Sequence, residues 1–90
     1  MKPSEGWHNE ETKQLAQDML SAGWFEELLA KCEDDDIRFV NLLWLLNALG
    51  AETGETITSI KEFNAAKATA KGSLVVHRWE KALLGEDVEN

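Results

Sequence analysis

Tyrosine is absent from this 90-residue chain, and cysteine and proline occur once each, as Cys32 and Pro3. A lone cysteine excludes an internal disulfide, which fits a reducing cytoplasm. The only histidines, His8 and His77, share no close spacing with Cys32 of the kind a four-ligand zinc site needs. No metal or cofactor is expected. No apolar run approaches the roughly 18–20 residues that cross a bilayer, and Met1-Lys2-Pro3-Ser4-Glu5 has no apolar signal core. Neither a membrane role nor secretion by that route is expected. Basic residues are scarce: 9 Lys plus Arg face 17 Asp plus Glu, a net charge of -8. An acidic molecule repels phosphate unless it gathers a basic face, which counts against bulk nucleic-acid binding.

What the chain does hold is an ordinary globular mixture, 43% hydrophobic and 29% charged, in a length that supports one domain. Residues 1–8 read as a leader and residues 86–90 as a solvated acidic tail, both expected to be flexible. Glycines at 6, 23, 50, 54, 72 and 85 punctuate the remainder, and no segment alternates as a strand would. The expected fold is all-α: a compact bundle of about five short helices around a central apolar helix, residues 37–49.

Asn9 suits the N-cap of a first helix reaching Ala22, with Glu10 and Glu11 at the positive end of its dipole and Gly23 as a left-handed stop. A second helix is expected over Trp24 to Glu33. The central helix follows, capped by Asp35 or Asp36 and closed by Gly50. Its thirteen residues, Ile37 to Leu49, are apolar in nearly every direction, as in a helix surrounded by others. Ala51 to Thr58 reads as a loop. Ser59-Ile60-Lys61-Glu62 has capping-box spacing and opens a fourth, alanine-rich helix running to Gly72. Ser73 is the expected cap of a fifth helix, Leu74 to Leu84, which buries Val75, Val76, Trp79 and Leu83 and stops at Gly85. Of the four tryptophans, Trp24, Trp44 and Trp79 fall on apolar stripes and read as core. Trp7 either staples back onto the first helix or stays accessible as an anchor for a partner.

Charge is divided along the chain. Residues 1–55 carry 4 basic and 12 acidic side chains, residues 56–84 carry 5 basic and 2 acidic, and the last six carry three acids. The densest acidic run is Glu33-Asp34-Asp35-Asp36, with Glu26 and Glu27 two turns upstream. Such a cluster attracts a basic groove, although one aspartate suffices to cap a helix and the rest can merely solvate a turn. The run lacks the alternation and sixth-position glycine of a calcium loop. Gly50-Ala51-Glu52-Thr53-Gly54-Glu55 lacks the lysine of a phosphate loop. Cys32 on an apolar stripe reads as inert packing, and His77 beside Arg78 as surface. With no catalytic set in view, no enzymatic activity is expected.

In size, charge and lack of catalytic residues the chain resembles small acidic phage-encoded inhibitors, including the anti-CRISPR proteins, without sharing a motif with them. The resemblance implies that Glu26, Glu27, Glu33, Asp34, Asp35 and Asp36 compete for cations that would otherwise grip nucleic acid. The partner would be a larger protein or ribonucleoprotein complex with a basic surface, met in the cytoplasm. An alternative takes the basic segment 56–84 as a helix-turn-helix-like DNA reader. With Gly72 at its turn, charged residues fall where apolar ones belong; a shifted register leaves Lys71, His77, Arg78 and Lys81 outward. A third reading is a homodimer formed through an exposed part of the central helix.

Overall fold

The computed structural model describes residues 9–85; the leader with Trp7 and the acidic tail lie outside the described residues. Among the described residues five helices make an all-α bundle: α1 (Glu10–Ser21), α2 (Glu26–Leu29), α3 (Asp35–Thr53), α4 (Ile60–Lys67) and α5 (Ala70–Leu84). The central helix α3 packs against α1, α4 and α5, while α2 touches α5.

The ends of α1 follow local chemistry. Asn9 Oδ1 accepts from the Thr12 amide at 2.9 Å, satisfying one of the orphan donors of the first turn. At the other end Gly23 takes φ +86°. The Trp24 amide reaches back to the Met19 carbonyl at 3.0 Å and the Gly23 amide to Leu20 at 3.1 Å, a Schellman ending. Leu15, Ala16 and Met19 face the core as the stripe predicts. Thr12 is buried with them, and its hydroxyl donates to the Ile57 carbonyl at 2.9 Å. That bond ties the loop between α3 and α4 to the start of the bundle.

The expected second helix over Trp24 to Glu33 is reduced to the single turn α2. Phe25 sits in the left-handed region at φ 55°, a strain of roughly 1–3 kcal/mol for a non-glycine residue. Aromatic packing offsets it. The Phe25 ring meets Trp79 edge-on with centroids 4.9 Å apart, and Trp24 meets Phe63 at 5.5 Å and 90°. Straight helix through Trp24 and Phe25 would not deliver both rings to the same interior.

Two glycines read as helix stops lie inside helices. Asp34, not Asp35 or Asp36, caps α3, its Oδ1 accepting from the Ile37 amide at 2.9 Å. The helix passes through Gly50 and stops at Gly54, φ +80°. A Cβ on Gly50 would stand 2.5 Å from the Glu55 carbonyl oxygen, so Gly50 admits the returning chain. Ser59 caps α4 as the spacing predicts, accepting from Glu62 N at 3.1 Å. That helix ends at Lys67, and Thr69, not Ser73, caps α5 by accepting from Gly72 N at 2.8 Å. Ser73 instead donates to the Lys67 carbonyl at 3.1 Å. Gly72 lies within α5, where a Cβ would fall 1.8 Å from the Ala66 oxygen.

The core runs from Leu15 and Met19 through Leu42, Leu45, Leu46 and Leu49 of α3 to Phe63 and Trp79. Trp79 is 3% exposed, and its indole Nε1 donates to the Asn41 carbonyl at 3.0 Å, locking α5 to α3. Val75, Val76 and Leu83 are only partly buried against that core. Trp44 is not core: it is 46% exposed, with Val40 at 51% and Ile37 at 40%. Helices of 12, 8 and 15 residues packed on a 19-residue rod leave one of its sides open.

Candidate functional site

The six acidic candidates fall into three situations. Asp34 is spent on the α3 cap. Asp35 pairs with Arg38, Oδ1 to Nη1 at 2.6 Å. The same guanidinium donates from Nε to the Leu29 carbonyl at 3.1 Å and from Nη2 to the Cys32 carbonyl at 3.3 Å. Arg38 therefore closes the end of α2 and fixes the acidic turn to the first turn of α3. The Asp35 side chain is 94% exposed, so the ion pair itself is worth less than about 1 kcal/mol; the two carbonyl contacts give Arg38 its structural role. Glu26, Glu27, Glu33 and Asp36 are exposed, and their side chains make no hydrogen bond or ion pair among the described residues.

Between the end of α1, the α2 turn and the start of α3 lies a groove of about 1130 Å³. Leu20, Trp24, Leu29 and Phe39 supply its apolar surface, and Glu26, Asp35 and Asp36 its acids, with Arg38 among them. The structure thus brings three of the six candidates together. Glu27, Glu33 and Asp34 do not line the groove. The lining is mixed, with Gln17, Ser21 and the three acids beside the apolar residues. Carboxylates next to apolar surface suit a long cationic side chain, whose methylenes and charged head need different surroundings. Lys67 shows the same principle on a neighbouring surface, its ammonium 5.2 Å from the Phe63 ring centroid and 5.9 Å from that of Trp24, a cation–π geometry.

The alternative DNA-contacting residues all lie on α5. Lys71, His77 and Arg78 are exposed and Lys81 is half-buried. Helical spacing aligns Lys71, Arg78 and Lys81 along one side, with Leu74 between them, and sets His77 about 100° from Arg78. The turn between α4 and α5 falls at Ala68–Thr69, so Gly72 is not the turn of a helix-turn-helix. Cys32 is half-buried, its sulfur accepting from Asn41 Nδ2 at 3.4 Å.

One carboxylate is electrostatically distinct. Glu62 Oε1 accepts from both the Thr58 amide and the Thr58 hydroxyl at 2.7 Å. These bonds favour the ionised form and hold its pKa below the ordinary glutamate value. The capping-box spacing foretells the Glu62 side chain's return to the helix start, where its short hydrogen bonds go to Thr58 and the Ser59 backbone adds a smaller effect.

Among the described residues no helix is long and apolar enough to cross a membrane, and no group of three His, Cys, Asp or Glu side chains is placed to hold a metal ion. Comparisons with protein-family models, with curated proteins and with solved structures find no match for the chain.

Arg38 and the outward side of α3 are what sequence reasoning missed. Arg38 is the only charge between Ile37 and Ala51, a signal that it has a specific partner. The spacing of Ile37, Val40 and Trp44, three then four, marks a stripe, but equal apolarity on the other sides of the helix hides which stripe is left over.

Proposed function

We propose that this protein is a non-catalytic binding protein that sets its acidic face on a basic, nucleic-acid-binding surface of a larger protein or ribonucleoprotein complex. This is the mode of action that resemblance to the phage-encoded inhibitors implies. The observation that carries it is the groove, where Glu26, Asp35 and Asp36 stand beside the apolar surface of Leu20, Trp24 and Phe39. Arg38 holds that arrangement in place before any partner arrives, so binding need not order the acidic turn. Unpaired carboxylates at Glu26, Glu27, Glu33 and Asp36 lose little internally when they meet a partner's lysines or arginines, and they steer association through the field of a -8 molecule.

The test is a competition assay with an RNA-guided effector complex from a bacterial defence system, whose target-DNA binding is followed by fluorescence polarisation. The protein is expected to displace DNA. Reversing Glu26 and Asp36 to lysine should weaken that effect about ten-fold or more, while reversing Glu86 and Glu89 should change it little. Equal losses from both pairs would reduce the interaction to total charge and remove the localised face.

The row formed by Lys71, Arg78 and Lys81 supports a second reading, a DNA-binding regulator. It requires a duplex mobility shift at low salt that falls steeply as salt rises, and loss of that shift on changing Lys71 and Arg78 to glutamine.

A further inference from the structure

We infer that the open side of α3 is a docking surface for a basic amphipathic helix of the partner. Ile37, Val40 and Trp44 stand outward at 40%, 51% and 46% exposure, and Ala51 continues the stripe on the surface. Positions 37, 40, 44, 47 and 51 repeat at three and four residues, the spacing of a helix–helix seam; the polar member is Asn47, half-buried with its amide donating to the Leu43 carbonyl at 2.9 Å. The stripe is roughly 20 Å long at 1.5 Å per residue, which matches a partner helix of about 15 residues. It is uncharged: the one ionic side chain between Ile37 and Ala51 is Arg38, which turns away to the Leu29 and Cys32 carbonyls and Asp35.

Charge at the two ends decides the occupant. Asp36 flanks the start of the stripe, on the same turn as the capping Asp34 and the Arg38-bound Asp35, and Glu52 and Glu55 stand where it ends, all of them exposed. A second copy of this chain is disfavoured in either orientation. A parallel pair would set the three aspartates against themselves, and an antiparallel pair would set them against Glu52 and Glu55. A neutral apolar helix leaves Asp36 at one end, and Glu52 and Glu55 at the other, without partners. A helix with an apolar face and lysines or arginines at its two ends satisfies both the stripe and the acids. This deepens the acidic-face reading and rests on it, because Asp36 belongs to the groove and also flanks the head of the stripe.

The probe is a synthetic peptide of leucine and lysine with leucines at helical spacing, compared with a scrambled peptide of the same composition and a patterned one with glutamine for lysine. Binding to the full chain is measured by calorimetry, with Trp44→Ser and Val40→Ser as variants. Both side chains are about half exposed, and circular dichroism verifies that the variants fold. The patterned lysine peptide is expected to bind about ten-fold or more tightly than either control, and each variant to lose about ten-fold. If patterned and scrambled lysine peptides bind alike and only reversal of Glu26 and Asp36 weakens them, the stripe is not a docking surface while the acidic face stands. If the glutamine peptide binds as well as the lysine one, the basic character of the partner falls. No binding of any peptide overturns the docking surface. A dimer in sedimentation that Trp44→Ser dissolves would make a second copy the occupant and overturn the inference.

Discussion

Replacing Gly72 with alanine sets two opposite effects against each other. Gly72 lies within α5, where helix propensity alone predicts that alanine stabilises by about 1 kcal/mol. Against this, the added Cβ would stand 1.8 Å from the Ala66 carbonyl oxygen, 2.7 Å from its carbon and 3.0 Å from Lys67 Cα. All three are backbone atoms, so no flexible side chain can yield. Ordinary contact begins at about 3.4 Å, and α4 must move by more than 1 Å relative to α5. Overpacking of a tight contact costs roughly 1–3 kcal/mol and occasionally more, and the displacement here belongs at the upper end. The net expectation is a loss of about 2 kcal/mol. For a domain of this size that lowers Tm by about 8–16 °C, measured by urea and thermal unfolding followed by circular dichroism. A variant as stable as the parent, or more stable, would show that the α4–α5 crossing is not as close as described.

Asp34→Ala should cost about 1 kcal/mol in urea unfolding through loss of the α3 cap, whereas Asp36→Ala should change stability by a few tenths at most; equal effects would place the cap elsewhere. Trp79→Phe removes the bond to the Asn41 carbonyl and leaves a void at the α3–α5 contact, an expected loss of about 2–3 kcal/mol in the same measurement. Glu62 is held below the ordinary glutamate value by its bonds to Thr58. Its contribution is therefore present above the unfolded-state pKa and is lost as pH falls through the lower folded-state value. Glu62→Gln should flatten that acidic limb of the stability profile, and an unchanged limb would assign it to other carboxylates.

Local chemistry was legible and packing direction was not. Asn9, Gly23, Ser59 and Gly85 act as read because a cap or a left-handed turn is decided within a few residues. Gly50 and Gly72 were misread because a glycine that ends a helix and one that admits a crossing backbone look alike until the neighbour is known. The second helix failed at Phe25, where the rings of Trp79 and Phe63 outweigh backbone preference. Trp44 was assigned to the core because α3 is apolar on every side, and such a helix does not specify which side remains open. At the candidate site the acidic run was visible, but the division between structural and unpartnered acids was not. That division depends on where Arg38 reaches, across nine residues to Leu29.

The clasp made by Arg38 bears on how this surface can change over generations. The path of the acidic turn is fixed from below, by one guanidinium and the Asp34 cap, while the side chains of Glu26, Glu27, Glu33 and Asp36 contribute no bond to it. Substitutions at those four positions rewrite the charge pattern of the surface without unfolding the scaffold that displays it. Change in the surface charge finds its freedom there, and its constraint at Asp34 and Arg38.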